Sequence, residues 1–380
     1  MKPVPDRLER DAVGPTQRHG RTSSRSFTAL LVLVLVLALA SRGALPACAA
    51  ESDFVARDFN FVSGETLPEL RLHVLTLGTL RRDAQGHATN AVLVLHGTGG
   101  TGRQFLTRQF ADELYGKGQP LDTTEMFVIL PDGIGHGRSS KPSDGLHMRF
   151  PKYDYDDMVR AHHLLLTRHL GIDHLRLVMG TSMGGMHTWV WGETYPTFMD
   201  ALMPLACQPV AIVGRNRLWR QMVVDAITRD PEWREGEYER EPQSGLRTAV
   251  DLLLIAGSAP LYMQSSLATR DSVDRYLKSQ LATRMAATDA NDLLYQVEAS
   301  RHYDPSPMLE SIQAPVMFVN SADDFINPPE LGIAEREVKR VKRASFVLIP
   351  ASERTRGHGT HTWAALWKEH LVELLEQSRK

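Results

Sequence analysis

Short, continuous apolar runs recur along most of the chain. They are AVLVLHG (91–97), MFVILPDG (126–133), LRLVMG (175–180), ALMPLA (201–206), PVMFVNSADD (315–324) and ASFVLIPA (344–351). Strands covered by helices on both faces have such continuous runs, whereas the alternating segment LRLHVLTLGTL (70–80) is typical of a half-exposed strand. The pattern predicts an α/β fold with a mostly parallel, doubly wound sheet.

Longer amphipathic segments between these runs predict the helices that cover the sheet. They are FLTRQFADELYGKG (105–118), YDDMVRAHHLLLTRHLG (155–171), MGGMHTWVWGETY (183–195), PPELGIAEREVKRVK (328–342) and THTWAALWKEHLVELLEQ (360–377). The segment 210–313 breaks the alternation, because it is helical in composition and contains no convincing strand. We therefore predict a core formed by residues 51–209 and 314–380. A helical cap at 210–313 is inserted before the predicted strand at 315–324, which ends in two aspartates.

The first fifty residues differ from the rest in composition. Arg18, Arg21 and Arg25 precede the apolar run FTALLVLVLVLALA (27–40), which small residues then follow. A membrane-spanning helix needs about 20 apolar residues, so the run favours a cleaved signal peptide over residues 1–50 and no stable membrane span. LPAC also resembles a lipoprotein processing site, which would attach a lipid anchor at Cys48. We expect an exported protein, periplasmic or secreted.

Composition and charge narrow the class of protein. A hydrophobic content of 42% with 23% charged residues is that of a globular protein with material for a core. Proteins that bind nucleic acid need a clustered basic face. The net charge here is -2 and the sequence shows no such cluster, which argues against nucleic acid as a partner. The oligomeric state stays open, a homodimer included.

The pentapeptide Gly180-Thr181-Ser182-Met183-Gly184 matches the G-x-S-x-G pattern and lies between a predicted strand and a predicted helix. In that position a serine can be held as a nucleophile on a tight turn, and glycines on both sides make the turn sterically accessible. The alternative is a small residue in an ordinary glycine-rich bend. The pattern by itself does not decide between them.

A serine nucleophile needs a base and a group that orients the base, and both candidates follow at predicted strand ends. Asp323 and Asp324 end one strand, and we favour Asp324 as the acid, with Asp323 serving a turn or a helix N-terminus. His358, which has glycines on both sides, is favoured as the base over His361, a polar residue at the start of the last helix. The predicted triad is Ser182, Asp324 and His358.

An acyl-transfer site also needs backbone N–H groups for the oxyanion. His96-Gly97-Thr98-Gly99-Gly100 ends a predicted strand, so we assign Thr98 and Met183 as the oxyanion-hole amides, with His96 bracing the loop. The glycines lack the G-x-x-x-x-G-K-[ST] pattern of phosphate binding, and no acidic or histidine cluster accompanies His358 and His361. We expect no cofactor and no metal, and a small-molecule acyl substrate as the partner.

The sequence resembles the α/β-hydrolase superfamily and, within it, the homoserine O-acetyltransferase-like branch. The resemblance is carried by DMVRAHHLLLTRHLGI (157–172), LVMGTSMGGMHTWVWGETYP (177–196), APVMFVNSADDFINPPE (314–330) and the GHG of 357–359. It implies a sheet of the α/β-hydrolase type, and its catalytic residues fall on Ser182, Asp324 and His358, the residues already reached from spacing.

Three departures from that branch bear on the acceptor of the acyl group. The resemblance implies an acidic residue after the catalytic histidine, where this chain has Gly359; the loop PDGIGHGRSSKP (131–142) has a more generic hydrolase form; and the chain has an export-type N-terminus. These features favour a serine hydrolase that cleaves a carboxylic ester, or less readily an amide. The alternatives are an O-acyltransferase with the same triad and a non-catalytic binding protein on the same fold.

Overall fold

The computed structural model describes residues 49–379. The predicted signal peptide and Cys48 lie outside the described residues. Eight strands form one sheet: β1 (Ala50–Asn60), β2 (Thr66–Leu77), β3 (Ala91–Leu95), β4 (Phe127–Pro131), β5 (Leu177–Thr181), β6 (Leu202–Leu205), β7 (Val316–Ser321) and β8 (Ala344–Ile349). Their order is β1-β2-β4-β3-β5-β6-β7-β8.

Only the first two strands depart from parallel pairing. β1 and β2 are antiparallel to each other, β2 is antiparallel to β4, and the strands from β4 to β8 are parallel. Every residue of β3, β5, β6 and β7 is buried, which explains their continuous apolar sequence. The predicted mostly parallel α/β sheet is confirmed.

Ten α-helices lie among the described residues. They are α1 (Arg108–Leu114), α2 (Tyr155–Leu164), α3 (Met183–Thr194), α4 (Gly214–Thr228), α5 (Gln243–Ala256), α6 (Pro260–Ser266), α7 (Arg270–Ala286), α8 (Ala290–Glu298), α9 (Ile333–Glu337) and α10 (Lys368–Gln377). No single helix in the described part of the chain is long and apolar enough to cross a membrane, although the bent pair α5 and α6 passes by length and composition.

Two apolar clusters cover the two faces of the sheet. One joins the sheet to α2 and α3 and contains the fully buried Trp189 and Trp191. The other joins the sheet to α1 and α10 through Phe110 and Trp367, whose ring centres are 5.7 Å apart. Full burial of one such large side chain contributes about 1.5–3 kcal/mol, so the doubly wound core is the main source of stability.

The segment predicted as a cap contains α4 to α8 and no strand among its described residues. Four of these helices, α4, α5, α7 and α8, share a separate apolar cluster that includes Trp219, Val223, Leu246 and Leu294, and α6 contributes no residue to it. The buried apolar side chains of α4, α5 and α8 therefore pack largely within the segment, whereas Leu261 on α6 and Leu277 on α7 are exposed. The division into core and cap stays a prediction.

Three elements differ from the sequence expectation. The last helix, predicted over 360–377, begins only at Lys368 after two short 3-10 turns, so His361 lies before it and not at its start. β1 was not predicted, because most of its residues are exposed and it has no continuous apolar run. The single helix predicted over 328–342 is divided into short turns and α9, with the break at Gly332, whose φ of 59° is left-handed. A glycine in that conformation ends one turn and redirects the chain, so the amphipathic pattern continues across a break in the helix.

Four histidines are buried together between the sheet and its helices: His96, His136, His162 and His187. The rings of His96 and His136 are 4.9 Å apart, and those of His162 and His187 are 6.2 Å apart. Burial lowers the pKa of His162 to about 3 and also lowers the pKa of the other three. The folded protein therefore holds these imidazoles neutral.

We expect this cluster to make the fold sensitive to acid, and His162→Phe to reduce that sensitivity. Between pH 3 and the ordinary histidine pKa of about 6.5, the unfolded chain binds a proton at His162 that the folded chain excludes. Stability is thus present above pH 6.5 and is lost as the pH falls, by about 1.4 kcal/mol per pH unit for each such histidine. Neither ring nitrogen of His162 has a hydrogen-bond partner among the described residues, so phenylalanine removes no hydrogen bond.

Urea unfolding of both proteins between pH 4 and 6 tests this expectation. The free energy of unfolding of the variant should fall less steeply as the pH decreases. The slope should be smaller by about 1.4 kcal/mol per pH unit, which corresponds to one proton. The same substitution at the exposed His302 is the control. Equal slopes for His162→Phe and the unaltered protein would show that His162 does not contribute.

Candidate active site

Ser182 lies on the tight turn between β5 and α3. Its φ of 56° and ψ of -113° are unusual for a residue with a side chain and cost about 1–3 kcal/mol. A Cβ at Gly180 would lie 2.1 Å from the carbonyl oxygen of Gly184, and one at Gly184 would lie 2.0 Å from that of Leu95. Both flanking residues must therefore be glycine, and the turn presents the serine hydroxyl beyond the sheet edge.

The imidazole of His358 lies between Ser182 and Asp324. Its Nε2 is 2.8 Å from the Ser182 Oγ, and its Nδ1 is 3.0 Å from Oδ2 and 3.1 Å from Oδ1 of Asp324. The three residues follow β5, β7 and β8, whose parallel pairing places their carboxyl ends at one edge of the sheet. The tertiary structure thus brings together the three residues that spacing selected.

The carboxylate of Asp324 is buried and fully hydrogen-bonded. Its Oδ1 accepts from the backbone N–H of Ile326 at 2.8 Å, and its Oδ2 accepts from the side-chain amide of Asn327 at 3.1 Å. Burial acts to raise the pKa of Asp324, but the charge of His358 and the hydrogen bonds from His358 and Asn327 outweigh it and hold that pKa below its ordinary value. The anion keeps the proton of His358 on Nδ1, which leaves Nε2 free to accept the Ser182 proton.

Asp323 does not contact the imidazole. Its Oδ2 accepts from the Gly357 N–H at 3.2 Å and lies 2.7 Å from the hydroxyl of Thr355, while its Oδ1 accepts from the Ser321 hydroxyl. Of the two adjacent carboxylates, Asp324 therefore faces His358. Asp323 is bonded to the loop that carries His358, rather than to a helix N-terminus.

The loop after β3 lies beside Ser182, because β3 and β5 are paired and Leu95 lies opposite Gly180. A Cβ at Gly97 would be 3.3 Å from the Ser182 Cβ, so this backbone approaches the serine closely. The N–H of Thr98 has no hydrogen-bond acceptor within 49–379, and the N–H of Met183 is at the first position of α3, where a helix provides none. Both N–H groups are available to an incoming oxygen.

His96 braces this loop, as expected from the sequence. Its Nε2 accepts from the Gly133 N–H at 2.9 Å, so the proton is on Nδ1, which donates to the Gly97 carbonyl at 2.9 Å. The neighbouring Asp132 accepts from the N–H groups of Gly102 and Arg138. The loops after β3 and β4 are therefore fixed to each other beneath the site.

Sequence reasoning missed Asn327, which bridges two parts of the site. Its side-chain amide donates to Asp324 and, at 2.9 Å, to the carbonyl of Ala206 after β6. The only local indication was a polar residue three positions after the acid.

A largely apolar groove of about 710 Å³ adjoins this region, and its walls include Asp324, Met186, Phe325 and Ile255.

The model of the alpha/beta hydrolase fold family matches residues 90–373. This match agrees with the sheet order and with the position of Ser182 on the turn after β5. The chain belongs to the α/β-hydrolase superfamily. Within it, the chain falls in the homoserine O-acetyltransferase-like branch: the homoserine O-acetyltransferase of Pelobacter propionicus is 32% identical over 332 residues, 76% of this chain and 86% of that protein.

Solved structures of two kinds share the fold. The acetyl esterase MekB has a TM-score of 0.76 and 25% sequence identity, over 86% of this chain and 97% of that one. The homoserine O-acetyltransferase from Bacillus anthracis also has a TM-score of 0.76, with 22% identity, over 88% of this chain and 98% of that one. The fold therefore accommodates both an esterase and an acetyltransferase.

Proposed function

We propose that the protein transfers an acyl group from an ester through an acyl-enzyme on Ser182. The observation that carries this proposal is the continuous hydrogen-bonded chain from Ser182 through His358 to Asp324, with distances of 2.8 and 3.0 Å. Such a chain makes a serine hydroxyl nucleophilic, because the imidazole takes its proton as the carbon–oxygen bond forms.

In the first half of the proposed reaction, the Ser182 Oγ attacks the ester carbonyl carbon and its proton moves to Nε2 of His358. The carbonyl oxygen becomes negative and accepts hydrogen bonds from the N–H groups of Thr98 and Met183. As the tetrahedral intermediate collapses, the bond to the leaving alcohol breaks and the alcohol oxygen takes the proton from His358. Asp324 stabilises the imidazolium through Nδ1–H without becoming protonated.

In the second half, an acceptor hydroxyl loses its proton to His358 and its oxygen attacks the acyl carbon. The bond from that carbon to the Ser182 Oγ then breaks, and the Oγ takes the proton from His358, which restores the free enzyme. Water as acceptor gives a free acid, and an alcohol gives a new ester. Transfer to an alcohol is the outcome that the relatives favour, because the curated relatives at 30–32% identity include homoserine O-acetyltransferases. The motifs of the chain favoured hydrolysis, whereas these relatives favour the acyltransferase alternative.

Hydrolysis is the second candidate, and Gly359 is the observation that favours it. The residue after the base carries no side chain, although a Cβ there would meet only the Arg356 Cβ, at 3.6 Å. The acidic group that the family resemblance implies for an amino-acid acceptor is therefore absent while space for it exists. The similarity to the acetyl esterase MekB points in the same direction.

The acceptor can be identified by measuring how the acyl group divides between products. The protein is incubated with p-nitrophenyl acetate alone, with L-homoserine and with a simple alcohol, and free acetate and the new ester are quantified against released nitrophenol. For a transferase, we expect ester formation that saturates with acceptor while free acetate falls. Free acetate equal to nitrophenol at every acceptor concentration would show a hydrolase, and Ser182→Ala measures the uncatalysed background.

A further inference from the structure

Two adjacent carboxylates hold the base in different ways. Asp324 is hydrogen-bonded to the ring of His358. Asp323 is hydrogen-bonded to the loop that carries His358, at the Gly357 N–H and the Thr355 hydroxyl. Besides the Ser321 hydroxyl, the Asp323 carboxylate contacts Thr355 and Gly357, three residues and one residue before the histidine. Asp323 therefore fixes the path of the main chain immediately before the base.

The hydroxyl of Thr355 is the centre of this attachment. Thr355 is 1% exposed, and its Oγ1 accepts from the Ser352 N–H at 3.0 Å. Two oxygens that can accept its hydroxyl hydrogen lie 2.7 Å from Oγ1, one of the Asp323 carboxylate and one of the Ser352 carbonyl. The carboxylate is the stronger acceptor because it is charged, so a partly buried, charge-assisted hydrogen bond joins the end of β7 to the loop after β8.

The other side of the same loop contacts helices of the segment 210–313. The Arg356 guanidinium lies 3.6 Å from the centre of the Tyr262 ring on α6. A Cβ at Gly357 would lie 2.6 Å from the carbonyl oxygen of Ser258, between α5 and α6. The loop is thus held between these helices on one side and the Asp323 carboxylate on the other.

We propose that Asp323 is a positioning residue for the reaction: it fixes the Thr355–Gly357 segment so that His358 reaches Ser182 and Asp324 together. The proposal rests on the proposed function of Ser182 and His358. His358 must satisfy two hydrogen bonds from one loop, and a displacement of about 1 Å at a reacting group can lower a rate about 100-fold. The Asp323 carboxylate is bonded to Ser321, Thr355 and Gly357 and to no member of the triad, so we infer that it acts through the base.

Asp323→Ala tests the proposal, with Asp323→Asn as the conservative variant. Alanine removes both acceptors, whereas asparagine keeps a carbonyl oxygen for Thr355 and Gly357 and directs its amide to the Ser321 hydroxyl. We expect Asp323→Ala to lower kcat and the rate of labelling by a fluorophosphonate by about 10- to 100-fold with little change in KM. Asp323→Asn should stay within about 3-fold, and Thr355→Val should resemble Asp323→Ala.

Glu353→Ala is the matched control, because Glu353 is an exposed carboxylate of the same loop whose side chain makes no hydrogen bond within 49–379. Melting temperatures of all variants identify any that fail to fold. Equal labelling rates for folded Asp323→Ala and the unaltered protein would overturn the proposal, as would a loss shared equally by Asp323→Asn. If the unaltered protein is not labelled at all, the proposed function fails instead, so the two failures are distinguishable.

Discussion

Replacing Ser182 with alanine is expected to lower kcat by about 10⁶-fold and to abolish labelling by a fluorophosphonate. The Ser182 Oγ is the only hydroxyl in contact with the His358 Nε2 among the described residues, so no neighbouring group replaces it. The variant should fold normally, because it loses one hydrogen bond, worth about 1 kcal/mol, and keeps the same backbone turn. Steady-state rates, intact mass after labelling and thermal unfolding measure the three outcomes.

Ser258→Ala is the control for this experiment. Ser258 lies against the loop that carries the base, but its hydroxyl donates to the carbonyl of Ile255 and not to the triad. It should be labelled at the rate of the unaltered protein. Turnover by folded Ser182→Ala within 100-fold of the unaltered protein would refute an acyl-enzyme on Ser182.

The second large effect is expected for Asp324→Asn, about 10⁴-fold in kcat. An amide at this position can donate to Nδ1 of His358, which favours the tautomer with the proton on Nε2. In that tautomer the imidazole cannot take the Ser182 proton. The size of the substituted group is unchanged, so the loss reflects protonation rather than packing. Rates measured on protein with an unchanged melting temperature test the prediction.

The adjacent carboxylate provides the comparison. Asp323→Asn is the same chemical change one residue earlier, and it should cost far less because Asp323 accepts hydrogen bonds from the loop and not from the imidazole. A loss for Asp323→Asn as large as that for Asp324→Asn would contradict the different roles assigned to the two carboxylates. An unaltered rate for Asp324→Asn would exclude it as the acid.

Much of the core could be predicted from the sequence. The runs predicted as strands at 91–97, 126–133, 175–180, 201–206, 315–324 and 344–351 contain, or overlap to within a residue, the observed β3 to β8. Residues buried on both faces must nearly all be apolar, so the pattern is unambiguous. β1 lacks that constraint because it is an exposed edge strand, and helix ends such as the break at Gly332 depend on single backbone conformations.

For the site, the sequence by itself determined a serine between glycines after a buried strand, followed by carboxylates and histidines at two later strand ends. Those features are local, since the tight turn excludes a Cβ at Gly180 and Gly184. The local sequence does not determine which of Asp323 and Asp324 is hydrogen-bonded to His358. Successive side chains after β7 point in different directions, and only the packed loop after β8 places the imidazole against Asp324 and leaves Asp323 to bind Thr355 and Gly357.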